Sequence, residues 1–186
     1  MEPWIGSRYF SSPFRGERLL ILGESEYEWE KGCLIPDVAT QLISKIADGT
    51  WNYRFYSKIF HVVTGKTRAE VGVETRRDFW HSVSFYNFVQ DAVGPGPRCR
   101  PSMEMWNNAA SYFRRVFAEL SPEIVLALGK ELWFHLNRLG FIEHQSEQQS
   151  LLCVNELVAR TNFIYHPASS RYNYAVSRNT VEMLFA

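Results

Sequence analysis

The fold of this chain is decided by the stretch Arg18-Leu19-Leu20-Ile21-Leu22-Gly23. A short, continuous apolar run that ends at a glycine is typical of a strand buried on both faces of a sheet. Residue composition and flanking breakers predict further strands at 83–89, 123–128, 151–154 and 162–165. Apolar residues at helical spacing predict helices at 36–47, 55–63, 102–120, 130–139 and 176–185.

This alternation of strands and helices determines the expected architecture. It indicates an α/β fold, a three-layer sandwich with a central, mostly parallel sheet of four to five strands. All 186 residues are expected to form one domain, with residues 1–17 as an irregular N-terminal segment in which proline and glycine recur. In such sheets, functional groups lie beyond the carboxyl ends of strands. Three polar segments fall there: 24–30, 87–90 and 166–174.

The composition limits the classes of function. The formal net charge is zero, which argues against broad nonspecific binding of nucleic acid. Local basic pairs remain candidate phosphate contacts or solvated surface, namely Arg98 with Arg100, Arg114 with Arg115, and Arg171 with Arg178. The 9 Tyr, 13 Phe and 6 Trp fit either a bulky core or stacking platforms for bases.

The cysteines and the known short motifs exclude several kinds of site. Cys33, Cys99 and Cys153 are far apart and form no CxxC pair, so neither a zinc ribbon nor an iron–sulfur cluster is expected. An odd number of cysteines without a recognisable signal peptide fits a reducing compartment, and we expect a cytoplasmic protein with no membrane partner. The absence of GxGxxG, GxxxxGK[ST] and GxSxG argues against a nucleotide-dependent enzyme or an α/β hydrolase, the third interpretation considered.

Four motifs in a fixed order resemble the uracil-DNA glycosylase superfamily over roughly residues 18–175. They are Gly23-Glu24-Ser25-Glu26-Tyr27, Tyr86-Asn87-Phe88-Val89-Gln90 with the later Arg100-Pro101-Ser102, Pro122-Glu123-Ile124-Val125-Leu126-Ala127-Leu128-Gly129-Lys130, and His166-Pro167-Ala168-Ser169. The pattern is most similar to the iron–sulfur branch, but the cysteines of that branch are absent. Ser25 stands where several branches have a water-positioning Asp or Asn, and Glu26 stands where the motif usually has Pro.

The resemblance implies a monofunctional DNA glycosylase without cofactor or metal, acting as a monomer on a base flipped into a pocket. The base expected is uracil, another deaminated base or a bulky modified cytosine, in repair or in defence against phage DNA. His166 would donate a hydrogen bond to the departing base, since even a neutral imidazole can stabilise a developing anion. Alternatively, His166 caps its loop. The other interpretation of the whole chain is an inactive DNA-binding module that recognises a base without excising it.

The remaining candidate residues have assigned roles. A carboxylate would orient water and stabilise the cationic sugar, with Glu24 preferred, then Glu30, then Glu26; Ser25 could hold a water but supplies no charge. Asn87 would read the base edge, or bond its own backbone as an ordinary strand-end residue. By the same resemblance Tyr27 would gate the pocket; the alternative is ordinary packing. The candidates for stacking on the base are Trp29, Phe85 and Phe88. The resemblance also implies that the loop after the last strand enters the minor groove of DNA, here through Ser169, Ser170, Arg171 and Tyr172.

Overall fold

The structure is a computed structural model that describes residues 2–26, 38–94, 99–144 and 150–186. Seven strands in these ranges form one mixed sheet with the order β1-β3-β2-β4-β7-β6-β5. The strands are β1 (Trp4–Ile5), β2 (Leu19–Gly23), β3 (Ser84–Asn87), β4 (Ile124–Leu128), β5 (Ile142–His144), β6 (Ser150–Val154) and β7 (Leu157–Ile164). Strands β3, β2, β4 and β7 are parallel neighbours, whereas β1, β6 and β5 add to this centre in antiparallel pairing.

Helices cover both faces of the sheet. They are α1 (Val38–Ala47), α2 (Arg54–Thr64), α3 (Val73–Ser82), α4 (Met103–Leu120), α5 (Lys130–Arg138) and α6 (Tyr174–Leu184). Helices α4 and α5 contribute to one apolar core, and α1, α2, α3 and α6 to the other. Strand β2 serves both cores, because Leu20 and Leu22 point to the first and Leu19 and Ile21 to the second.

The α/β class predicted from the sequence is confirmed, but the sheet has seven strands rather than four to five. The segment expected to be irregular contains β1, a two-residue strand that pairs with β3. Strand β7 begins at Leu157 rather than at residue 162, because its first half forms a hairpin with β6. Leu157 and Val158 are exposed there, so no buried apolar run signals the strand. Helix α3 was not predicted; only three of its ten residues are buried.

The topology brings the ends of four strands to one place. In the parallel pairs, Gly23 lies opposite Asn87 and Leu128 opposite Ile164. The segments that follow β2, β3, β4 and β7 therefore leave the sheet at the same edge, which is called here the carboxyl edge. Within the described ranges, no helix combines the length and the apolar character that crossing a membrane requires.

Candidate functional site

The polar segment after β2 is fixed to the segment after β3 by main-chain hydrogen bonds. They join Phe88 N to Gly23 O at 2.9 Å, Val89 N to Glu24 O at 2.9 Å, and Val93 N to Glu26 O at 3.0 Å. This pairing continues the contact between the two strands beyond their ends. Glu24, Ser25 and Glu26 thus have a defined backbone path, which positions their side chains at the carboxyl edge.

Glu26 and Asn87 form a hydrogen-bonded pair. The Nδ2 of Asn87 donates to Oε1 of Glu26 at 2.9 Å, and Asn87 is 7% exposed. Burial raises the pKa of Glu26 above its ordinary value, and the Asn87 bond opposes this rise only in part. Burial raises the pKa of the Tyr56 phenol, and the nearby charge of Glu26 raises it further. The Asn87 amide therefore fixes the position of the Glu26 carboxylate, and burial increases the affinity of this carboxylate for a proton.

Glu24 is paired with a cation. The Nη1 of Arg100 donates to Oε1 of Glu24 at 3.0 Å, and the Glu24 side chain is only 9% exposed. Burial raises the pKa of Glu24, while the charge and hydrogen bond of Arg100 lower it. The Arg100 side chain is 59% exposed, so this ion pair leaves the predicted phosphate contact at Arg100 untested. Arg98, the other member of that predicted pair, lies outside the described residues.

His166 follows β7 and is neutral at physiological pH. Burial lowers its pKa to about 4, and the charges of Arg100 and Lys58 act in the same direction. The main-chain N–H of Ala168 donates to its Nδ1 at 3.2 Å. Because a nitrogen that accepts a hydrogen bond carries no proton, the neutral ring has its proton on Nε2. The ring also stacks on Phe55, with centroids 5.0 Å apart. His166 is thereby a fixed, neutral hydrogen-bond donor.

Gly23 lets the Asn87 side chain approach the backbone of β2. A Cβ built at Gly23 would lie 2.1 Å from Oδ1 of Asn87 and 3.2 Å from Cζ of Phe85. No side chain fits in this space, so the glycine that ends the fold-deciding stretch also sets the position of the amide. The requirement is for space rather than for an unusual backbone conformation.

We expect Gly23→Ala to lower the free energy of unfolding by about 1–3 kcal/mol, because the new methyl group overpacks against Asn87 and Phe85. Urea unfolding followed by circular dichroism measures the change. Gly72→Ala is the matched control, since a Cβ at Gly72 meets no atom within 4 Å. If Gly23→Ala lowers the free energy of unfolding no more than Gly72→Ala does, the close contact between Asn87 and Gly23 is contradicted.

The structure does not bring all predicted site residues together. Ser25 is half-buried between the two glutamates, and Phe85 is 1% exposed in the core beneath Gly23. Phe88 is fully buried in the opposite core, where its ring lies 5.0 Å from that of Phe113, so it cannot stack on a base at this edge. Three predicted residues, Tyr27, Trp29 and Glu30, lie outside the described residues.

The loop after β7 is tightly folded. Main-chain hydrogen bonds run from Ser169 N to His166 O at 2.8 Å and from Tyr172 N to Ser169 O at 3.1 Å. Ser170 and Arg171 are exposed, as a contact with DNA requires. Tyr172 instead packs on the core beneath Lys58, whose Nζ lies 4.8 Å from the ring centroid, and burial raises the Tyr172 pKa to about 12. Tyr172 therefore supports the loop rather than projecting from it as a wedge.

Three residues of α2 that belong to the site were not predicted as such. Phe55 stacks on His166, Tyr56 lies near Glu26, and Lys58 donates to the main-chain oxygen of Pro167. The spacing of Phe55 with later apolar residues predicted only a helix. Nothing in the sequence shows that the first turn of this helix faces the carboxyl edge.

The comparisons with known proteins add no family. No protein-family model matches the chain, and no curated protein is similar to it in sequence. In the part of the chain that the structure describes, no group of three His, Cys, Asp or Glu side chains is placed to hold a metal ion. The candidate site is thus defined by its own geometry, as the cluster of Glu24, Glu26, Asn87, Arg100 and His166, called here the edge cluster.

Proposed function

We propose that the chain is a DNA glycosylase that hydrolyses the N-glycosidic bond of a flipped base and leaves an abasic site. The base would be damaged, deaminated or modified, with uracil and bulky modified cytosines as the leading candidates. One observation carries the proposal: His166, neutral and with its proton on Nε2, shares the carboxyl edge with the buried carboxylate of Glu24 and the half-buried carboxylate of Glu26. The four motifs that resemble uracil-DNA glycosylases supply the same residues.

In this proposal His166 stabilises the leaving base. As the glycosidic bond breaks, negative charge develops on the base, and a fixed donor lowers the energy of that state. A neutral donor acts by hydrogen bonding, so it keeps its proton as the base departs. Phe55 and the Ala168 main chain hold the imidazole in place before the substrate arrives, which limits reorganisation during the reaction.

Glu26 is the carboxylate that we assign to the attacking water. The sequence favoured Glu24, but Arg100 already binds that side chain. Glu26 is held by the neutral Asn87 amide, and its raised pKa makes the ionised form a stronger acceptor for a water proton. Its negative charge also opposes the positive charge that develops on the sugar. Ser25, between the two glutamates, supplies a hydroxyl to the same water.

Asn87 is the residue that we assign to recognition of the base edge. Its amide has two N–H donors, of which Glu26 receives one. The close packing on Gly23 fixes the plane of the amide. A rigid amide distinguishes donor and acceptor patterns on a base more sharply than a mobile one does.

We expect Asn87→Asp to change which base is released, because the substitution replaces two donors with an acceptor. It also places a second carboxylate beside Glu26, so the overall rate should fall. The measurement is the ratio of initial rates on single-base substrates. Asn108→Asp, on the exposed surface of α4, makes the same chemical change away from the edge cluster. An unaltered ratio in Asn87→Asp would remove Asn87 from base recognition.

The proposed function is tested by a panel of synthetic DNA strands, each with one uracil, hypoxanthine, hydroxymethylcytosine or glucosylated hydroxymethylcytosine. Base release creates an abasic site, which alkali converts to a strand break visible on a denaturing gel. Breaks at one of these positions, dependent on His166, are the expected result. Tight binding without release from any strand would overturn the enzyme and favour a module that only recognises a base.

A further inference from the structure

Two segments of the chain meet beside the edge cluster. Residues 50–58 include the start of α2, and residues 166–174 form the loop after β7. The ring of Phe55 stacks on His166, and Lys58 donates to the main-chain oxygen of Pro167. The Lys58 ammonium also lies over the ring of Tyr172. These contacts make the two segments one continuous surface next to the site.

The charge of this surface is strongly one-sided. Residues 50–58 contain Arg54 and Lys58, residues 166–174 contain Arg171, and neither segment contains Asp or Glu. The whole chain has a formal net charge of zero, so these two segments are positive relative to the chain as a whole. Arg54 and Arg171 are exposed. A surface of this sign attracts the phosphates of a nucleic acid rather than a basic partner.

The first segment also presents aromatic rings to solvent. Trp51 is 47% exposed and Tyr53 is 43% exposed. Each ring contacts a neighbouring side chain. Lys45 Nζ lies 5.8 Å from the Trp51 ring centroid, and the centroids of the Tyr53 and Tyr56 rings are 6.1 Å apart. Supported, exposed rings among arginines form the kind of surface on which the bases of a single strand stack. Tyr53 contacts Tyr56, which in turn lies near Glu26 of the edge cluster.

We propose that Trp51, Tyr53 and Arg54, together with Arg171, bind a single DNA strand beside the flipped nucleotide. The two rings stack on bases of the strand, and the two arginines contact its phosphates. The proposal rests on the proposed function for the position of the flipped base. It adds that the protein engages unpaired nucleotides outside the pocket, through a segment that none of the four motifs includes.

The test is the affinity for a fluorescein-labelled oligothymidylate of about 15 nucleotides, a length that spans a typical single-strand site. Fluorescence anisotropy at low salt gives the Kd. The double substitution Trp51→Ala with Tyr53→Ala should raise the Kd by about tenfold or more, because the stacking of two bases on these rings is lost. Tyr53→Phe keeps the ring and should bind like the wild type. Arg54→Ala should weaken the dependence of Kd on salt concentration.

Phe10→Ala is the matched control. Phe10 is 60% exposed, and its neighbour Tyr9 lies near Arg18 and Glu123, which precede β2 and β4 at the opposite edge of the sheet. This substitution should leave the Kd unchanged. A wild-type protein that does not bind the oligonucleotide, an unchanged Kd in the double variant, or an equal loss in Phe10→Ala would each overturn the proposal.

The outcome is separable from that of the proposed function. Base release is measured independently on the substrate panel, so binding without any release would reject the glycosylase and still support the strand-binding surface. If bases are released but the Kd for the oligonucleotide does not depend on Trp51 and Tyr53, the glycosylase is supported and the strand-binding surface is rejected. Circular dichroism confirms that each variant is folded.

Discussion

His166→Ala is expected to lower the rate of base release by about 10²–10³-fold and to change the Kd for DNA little, because under the proposed function the Nε2–H donor acts mainly in the transition state. The structure gives the reason for this split. The imidazole is half-buried, lies near the charges of Arg100 and Lys58, and accepts at Nδ1 from the Ala168 N–H, so it is neutral with one defined donor. Single-turnover rates on the best substrate of the panel and anisotropy with the same strand measure the two quantities.

His166→Gln is the informative companion variant. The amide nitrogen of glutamine can reach near the Nε2 position and donate, so part of the lost rate should return. A purely structural histidine would behave differently. It would lose DNA affinity and rate equally in the alanine variant, and glutamine would restore stability rather than rate.

Glu26→Gln is expected to reduce the rate of base release by about 10²–10⁴-fold, the range typical of a lost general base. Glutamine preserves the shape of the side chain and an oxygen that can accept from Asn87. Only the charge and the capacity to take a proton are removed. Because the pKa of Glu26 is raised, the wild-type rate should fall as the pH decreases through that raised value. His166, with its pKa of about 4, becomes charged only at lower pH.

The same substitution should make the protein more stable at neutral pH. A carboxyl group whose pKa is higher in the folded than in the unfolded state favours folding while it is protonated, and this contribution is lost as the pH rises through the folded pKa. Glu26→Gln removes the cost of the buried charge. Its melting temperature should exceed that of the wild type at pH 7. The difference should shrink as the pH falls through the raised pKa of Glu26 and should be lost below the ordinary glutamate pKa of 4.5.

Glu24→Gln is the matched control for the rate of base release. It changes a neighbouring carboxylate that is already bound to Arg100, so the rate should fall less than in Glu26→Gln. A full rate in Glu26→Gln combined with a large loss in Glu24→Gln would contradict the assignment. It would return the water-positioning role to the residue that the sequence favoured.

The elements with strong local signals were predictable from the sequence. The apolar run before Gly23 gave β2 almost to its observed bounds, and Ser102, whose Oγ accepts from Met105 N at 3.2 Å, marked the start of α4. Helix α3 and the first half of β7 were missed for a common reason. The first half of β7 is stabilised by pairing with β6, and α3 is stabilised by only three buried side chains. Neither arrangement produces a regular spacing of apolar residues in the sequence.

The candidate site was predictable to the extent that topology determines it. Glu24, Glu26, Asn87 and His166 follow parallel strands, so their arrival at one edge could be expected. Their partners could not. Arg100 comes from a long connection and Phe55 from the first turn of a helix, and only the packing of these elements shows that the first binds Glu24 and the second supports His166.

Strand β7 also determines when the edge cluster is complete. Glu24, Glu26, Asn87 and Arg100 all precede residue 101, whereas His166 follows β7, which pairs with β4 and comes later in the chain than the other strands of the parallel centre. Contacts between such distant segments form late, because the entropy of closing the chain must be overcome first. A growing chain on the ribosome therefore acquires its carboxylates well before its imidazole. Under the proposed function, the protein cannot release a base from nearby DNA until its synthesis has passed β7.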